Sequence, residues 1–145
     1  MKVVDYFEAA EELFPTALPL YETYVPMGFP SPAENYTAAS LDIATYLIRR
    51  KATTYYIKVE GDSMYPVIHS GALLVVDRSL YPRAGDIVVA LINRELMVKR
   101  IRYSEEQIYL VAENEAYPTV AITHYTDFEV QGVVTFAINQ FRKFD

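Results

Sequence analysis

Two residues in this chain have the types and surroundings to do chemistry together. Ser63 lies in Val59-Glu60-Gly61-Asp62-Ser63-Met64-Tyr65-Pro66, and Lys99 lies in the strand-like run Glu95-Leu96-Met97-Val98-Lys99-Arg100-Ile101. A serine hydroxyl is a poor nucleophile until a nearby base takes its proton. Lysine is such a base only when neutral, and its reference pKa of roughly 10.4 leaves well under about one in a thousand neutral at pH 7. Burial against apolar groups disfavours the ammonium and can lower that value by up to roughly 3–5 units. If residues 95–102 form a strand, Lys99 shares a face with Met97 and Ile101, while Arg100 points the other way with Val98 and Arg102. The sequence therefore favours Lys99, not Arg100, as the base. Gly61 permits a sharp turn ahead of the serine, and the backbone N–H groups of Ser63 and Asp62 are candidate oxyanion donors. The ordinary reading stands beside this one: Gly-Asp-Ser is a common turn, and a strand lysine usually reaches solvent.

The elements that must position these residues read as strands. From Thr53 the hydrophobic period is two, with strand candidates at 55–59, 73–76, 86–91, 95–101, 107–111 and 130–138. Turn residues such as Ser70-Gly71, Pro82-Arg83-Ala84-Gly85 and Asn93-Arg94 separate several of them. Six short strands with almost no helix between them imply a mainly β body, a curled and partly barrel-like sheet spanning residues 40–145. Residues 1–39 differ. Pro15, Pro19, Pro26, Pro30 and Pro32 interrupt the chain, so this stretch cannot be a central strand or a long helix and reads as an extended arm. Two short helices are expected: Asp5–Leu13, from the spacing of Phe7, Ala10 and Phe14, and Ser40–Arg50, with Ser40 as N-cap.

Composition narrows the function classes. A net charge of −6 argues against direct binding to a nucleic-acid backbone, which calls for clustered Lys and Arg. With no cysteine, disulfides, thiolate catalysis and Cys-based metal sites are excluded. His69 and His124 have no ligand spacing, and Glu105-Glu106 and Glu113-Asn114-Glu115 fit loops, so no metal site is expected. Neither a targeting signal nor a run of about 18 uncharged apolar residues is present, which points to a soluble, cytoplasmic protein without membrane contact. A Ser63–Asp86–His124 triad has the chain order of α/β-hydrolases, but Gly61-Asp62-Ser63-Met64-Tyr65 lacks the final glycine of that motif. Tyr21, Tyr24 and Tyr36 are candidates either for interface anchors or for packing of the arm.

The ordered set GFPSPAENY (28–36), VEGDSM (59–64), SGALLVVDRS (70–79), AGDIVVALINRELMVKR (84–100) and VQGVVTFAI (130–138) resembles the LexA/UmuD family of self-cleaving Ser-Lys peptidases. The resemblance covers about residues 24 to 138. It implies Ser63 as nucleophile, Lys99 as general base, and cleavage immediately before Gly28, at Met27–Gly28. Only 27 residues precede that bond, without a basic recognition helix, so the likeness is to the UmuD branch and not to the repressors. For that branch it implies a homodimeric accessory subunit of a Y-family translesion polymerase, partner to a UmuC-like protein. Cleavage there is triggered by RecA–single-stranded-DNA filaments in the SOS response, and no cofactor is required. One departure matters. The family usually has Cys or Ala where this chain has Met27, and a pocket shaped for a small residue resists a thioether chain. The alternative is a non-cleaving dimeric adaptor in which Met27 prevents turnover.

Overall fold

The computed structural model describes residues 1–8, 17–21 and 37–144. Two compact units divide the chain, Met1–Ala9 with Arg50–Asp145, and Ala10–Arg49. The sequence reading divides it differently, into an arm over 1–39 and a body over 40–145.

The first unit is an eight-stranded antiparallel sheet. Its strands are β1 (Lys2–Glu8), β4 (Thr54–Glu60), β5 (Leu73–Asp77), β6 (Ile87–Ile92), β7 (Glu95–Ser104), β8 (Gln107–Val111), β9 (Val120–Ala121) and β10 (Phe128–Ile138). The order is β1-β4-β5-β10-β6-β7-β8-β9, and β1 also pairs with β7 through Lys2 and Met97. Six strands thus close on one another, while β8 and β9 extend from β7. The predicted mainly β, partly barrel-like body is observed, and all six predicted strands are present with ends that differ by three residues at most.

Alternation along the strands sorts the core onto two faces. Tyr55, Ile57 and Val59 of β4, Leu74 and Val76 of β5, Val89 of β6 and Val98 of β7 form one buried cluster. Met64, Ile68 and Ala72, from the connection after β4, pack into the same cluster. Val88, Ala90 and Ile92 of β6, Ile101 of β7, Leu110 of β8 and Val133 of β10 form the other. β7 is therefore covered on both faces, which is why a lysine in its middle can be buried at all.

Two local expectations are corrected. Asp5–Leu13 was expected to be helical, but Lys2–Glu8 is a strand that pairs with β4 along its length, Val3 opposite Val59 and Phe7 opposite Tyr56. Val3, Val4, Tyr6 and Phe7 are strand-favouring types, and a ladder to β4 outweighs the helical spacing of Phe7 and Ala10. Tyr6 also stacks on Tyr55, ring centroids 5.2 Å apart. The rest of that predicted helix, from residue 9, lies outside the described residues. Ser40 was expected to cap a helix, but it lies within a strand.

The second unit contains β2 (Ala17–Tyr21) paired antiparallel with β3 (Thr37–Asp42), followed by the short helix α1 (Ile43–Leu47). Pro19 is accommodated because a two-stranded sheet has only edge strands. The N-cap is Asp42, whose carboxylate accepts the Thr45 N–H at 3.3 Å. The helix begins three residues later than expected because the ladder to β2 holds Ser40 extended, and aspartate caps as well as serine.

Candidate active site

The connection after β4 is built to turn sharply. Gly61 adopts φ +105°, a conformation that side-chain-bearing residues rarely take, and its N–H is held by Ser70 Oγ at 3.0 Å. Tyr65 N–H then returns to the Asp62 carbonyl at 3.1 Å, and Ile68 N–H to the Met64 carbonyl at 2.9 Å. Met64 and Ile68 are fully buried and anchor the turn from below. Ser63 follows directly on the glycine turn and is itself buried, 2% exposed.

Lys99 sits at the centre of β7, opposite Val88 of β6, and is 7% exposed. Burial lowers its pKa from the ordinary lysine value. Lys99 is desolvated as its strand face implies, but its neighbour is not left in solvent. Arg100 is half-buried, paired with Glu113 and hydrogen-bonded to the Gly85 carbonyl. Its guanidinium is committed away from Lys99, and a guanidinium would in any case stay protonated.

The first residue of the chain links the two. The Met1 α-amine donates a hydrogen bond to Ser63 Oγ, and the Met1 carbonyl accepts from Val98 N–H at 3.0 Å. The pKa of that amine is lowered to about 6, first by burial and then by the positive charge of Lys99, against the opposing pull of Asp62 and Glu95. Ser63, Lys99 and Asp62 thus converge on one small region beside the N-terminal end of β1.

A loop far along the chain buttresses the turn. Asn114 N–H donates to the Ser63 carbonyl at 2.9 Å, and Asn114 Nδ2 donates to the Asp62 carbonyl at 3.2 Å. The Tyr117 hydroxyl donates to the Asp62 carboxylate, and the Tyr117 ring faces Lys99, with Nζ 5.4 Å from the centroid. That hydrogen bond, with the Asp62 charge, raises the Tyr117 pKa above the usual phenol range. Asn114 and Tyr117 lie 52 and 55 positions from Asp62 in the chain. Nothing local in Glu113-Asn114-Glu115-Ala116-Tyr117 marks them as site residues.

The other sequence candidates stay apart from this region. Met27 and Gly28 lie outside the described residues, as do Tyr24, Tyr36 and the side chain of Tyr21. His124 lies in the turn between β9 and β10 and makes no hydrogen bond to Ser63 or Asp86 among the described residues; the Asp86 carboxylate instead accepts Arg83 N–H at 2.8 Å. His69 packs between the rings of Tyr65 and Phe141 at 5.2 and 5.4 Å. Among the described residues, no three histidine or acidic side chains converge as a metal site needs, and no helix is long and apolar enough to cross a membrane.

A closed β-strand ring that presents a buried serine on a glycine turn, near a buried lysine, is the kind of framework a serine peptidase can use. Residues 19–135 match the family model described as Peptidase S24-like. The chain belongs to that family. It is 40% identical to protein SamA of Salmonella typhimurium, over 93% of this chain and 94% of SamA. It is 37% identical to protein MucA of Escherichia coli, over 93% of each chain. The LexA repressor 2 of Pseudomonas syringae pv. tomato is 33% identical over 68% of this chain and 48% of the repressor.

Proposed function

We propose that this chain is a UmuD-like, self-cleaving accessory subunit of an error-prone translesion DNA polymerase, acting in the SOS response. Ser63 is its nucleophile, Lys99 its general base and Met27–Gly28 its scissile bond. The observation that carries this reading is the burial of both Ser63 and Lys99 beside one group, the Met1 amine. The relationship to SamA, MucA and a LexA repressor supports the biological setting.

The reaction runs in two halves. Ser63 Oγ attacks the Met27 carbonyl carbon as neutral Lys99 takes the hydroxyl proton. The Asp62 and Ser63 N–H groups, which have no acceptor among the described residues, are the donors proposed for the oxyanion. The carbon–nitrogen bond then breaks, and Lys99 gives its proton to the departing Gly28 amine. Water attacks the Met27–Ser63 ester, again losing a proton through Lys99 to Ser63 Oγ. Residues 1–27 are released and residues 28–145 remain. In this reading the segment 1–39 delivers the bond once β1 has left its ladder with β4. RecA filaments on single-stranded DNA trigger the reaction, and the product is a cytoplasmic homodimer that joins a Y-family, UmuC-like polymerase.

One observation favours a second reading. The Met1 amine occupies the Ser63 hydroxyl, so the end of β1 must withdraw before any peptide carbonyl can reach it. Together with the bulk of Met27, this fits a non-cleaving dimeric adaptor.

Intact mass spectrometry at pH 7 and pH 10 separates the two, with Ser63→Ala and Lys99→Ala as controls. Loss of residues 1–27 that increases at pH 10 and needs both side chains supports the peptidase. An unchanged mass at both pH values, with RecA filaments present, supports the adaptor.

A further inference from the structure

The Ser63 region contains a carboxylate that the reaction does not use. Asp62 is adjacent to the nucleophile, and its charge reaches the Met1 amine, on which Lys99 also acts. A carboxylate free to swing within about 4–6 Å of a lysine favours the ammonium and raises its pKa. In this protein it does not do so: Lys99 has no ion-pair partner among the described residues, and burial is the cause of its lowered pKa. The Asp62 side chain is instead held by the Tyr117 hydroxyl, and the Asp62 backbone carbonyl by Asn114.

We propose that Tyr117 is a positioning residue that tethers the Asp62 carboxylate away from Lys99, so that the lysine stays without a counter-ion. The catalytic consequence rests on the Ser63/Lys99 reading above; the tether itself does not. The groups facing Lys99 are few. The end of β1 contributes the Met1 amine, with Glu95 acting on that amine from the start of β7. The turn after β4 contributes Asp62 and Ser63, and the loop after β8 contributes Tyr117. β6 places Val88 opposite, and Arg100 is occupied by Glu113. Of the two carboxylates that act on the Met1 amine, Asp62 is the one next to Ser63 and bonded to the tyrosine whose ring faces Lys99. Its hydrogen bond to Asp62 raises the Tyr117 pKa, so the phenol keeps its proton, and its grip, to higher pH than a free phenol does.

Tyr117→Phe removes the tether and keeps the ring over Lys99, so any cation–π contribution is unchanged. The direct readout is the 13Cε titration of Lys99 by NMR in the full-length chain carrying Ser63→Ala, which cannot cleave itself. The expected result is an upward move of the Lys99 midpoint by about one unit in Tyr117→Phe, the lower end of what one close carboxylate does. Adding Asp62→Asn should return it to the starting value. A midpoint that stays or falls in Tyr117→Phe overturns the proposal, and so does a rise that persists with Asp62→Asn. A residue that served only folding would lower the urea midpoint without moving the titration. With Ser63 intact, the alkaline limb of the cleavage-rate profile should shift by the same amount. A wild-type chain that cleaves at no pH refutes the peptidase reading and leaves the NMR comparison to decide the tether.

Discussion

Gly132→Ala tests whether the closed ring that carries the site is as tightly packed as its geometry implies. Gly132 lies in β10 where the register to β6 slips between Val130 and Gly132, so the strand bulges there. A Cβ built at this position would fall 2.5 Å from Val76 Cγ1, 3.2 Å from the Tyr55 hydroxyl and 3.3 Å from the Asp77 carbonyl. Carbon atoms prefer about 3.5–4.0 Å, so at least about 1 Å must be cleared on the valine side. Val76 cannot give way easily: it is β-branched, fully buried and packed in the core cluster with Tyr55 and Ile57. Overfilling of this kind costs roughly 1–3 kcal/mol. Displacing the Tyr55 hydroxyl also disturbs its bond to the Gln131 carbonyl, 3.0 Å, for about 1 kcal/mol more. The expected loss is about 2–4 kcal/mol, which lowers the urea midpoint by about 1–2 M at a slope of about 2 kcal/mol per M. Equilibrium unfolding followed by tyrosine fluorescence and far-UV circular dichroism measures it. A midpoint that holds, with the slope unchanged, would mean that β10 moves aside at its bulge and that the packing there is not tight.

Lys99→Met should abolish self-cleavage at every pH while making the fold no less stable at pH 7. A buried ammonium costs more to desolvate than a thioether, and the gain is about 1 kcal/mol. The pKa of Lys99 is lowered on folding, so between that lowered value and the ordinary lysine value the unfolded chain binds more protons and stability rises with pH. Urea midpoints measured from pH 7 to 11, with Ser63→Ala in both chains so that neither cleaves itself, should show this rise where Lys99 is present and its loss in Lys99→Met; equal slopes would count against a buried charge. At the acid end, burial pushes Asp77 up, but bonds from the Ser79 hydroxyl, its N–H and Thr53 outweigh it, and the carboxyl is held below its usual value. Its stabilisation is present above the unfolded carboxylate range and fades as pH falls through the lowered folded value. Asp77→Asn should therefore cost about 1–2 kcal/mol at pH 7 and flatten the wild-type decline below pH 4; a parallel decline in both proteins would remove Asp77 as its source.

Much of the body is legible in the amino-acid order because a strand with a buried face announces itself every second residue. That is why 55–59, 73–76, 107–111 and their neighbours read correctly, and why Met97, Lys99 and Ile101 could be assigned to one face. The turn at Gly61 was equally legible, since a positive φ asks for glycine locally. What sits against what was not. Lys2–Glu8 has patterns compatible with helix and strand, and only the exposed edge of β4 decides between them. The capping of α1 by Asp42 and not Ser40 depends on how far the ladder to β2 holds β3 extended. Arg100 gains its role from Glu113, 13 positions away and brought close by the pairing of β7 with β8, and Asn114 and Tyr117 gain theirs from Asp62, 52 and 55 positions away in the turn after β4. Which side chains could act as nucleophile and base was readable from amino-acid order, because those are properties of residue type and local period. Folding alone set the burial of Lys99 on a strand covered on both faces, the turning away of Arg100 and the hold of Tyr117 on Asp62, because burial and charge pairing come from neighbours that the chain order does not place side by side.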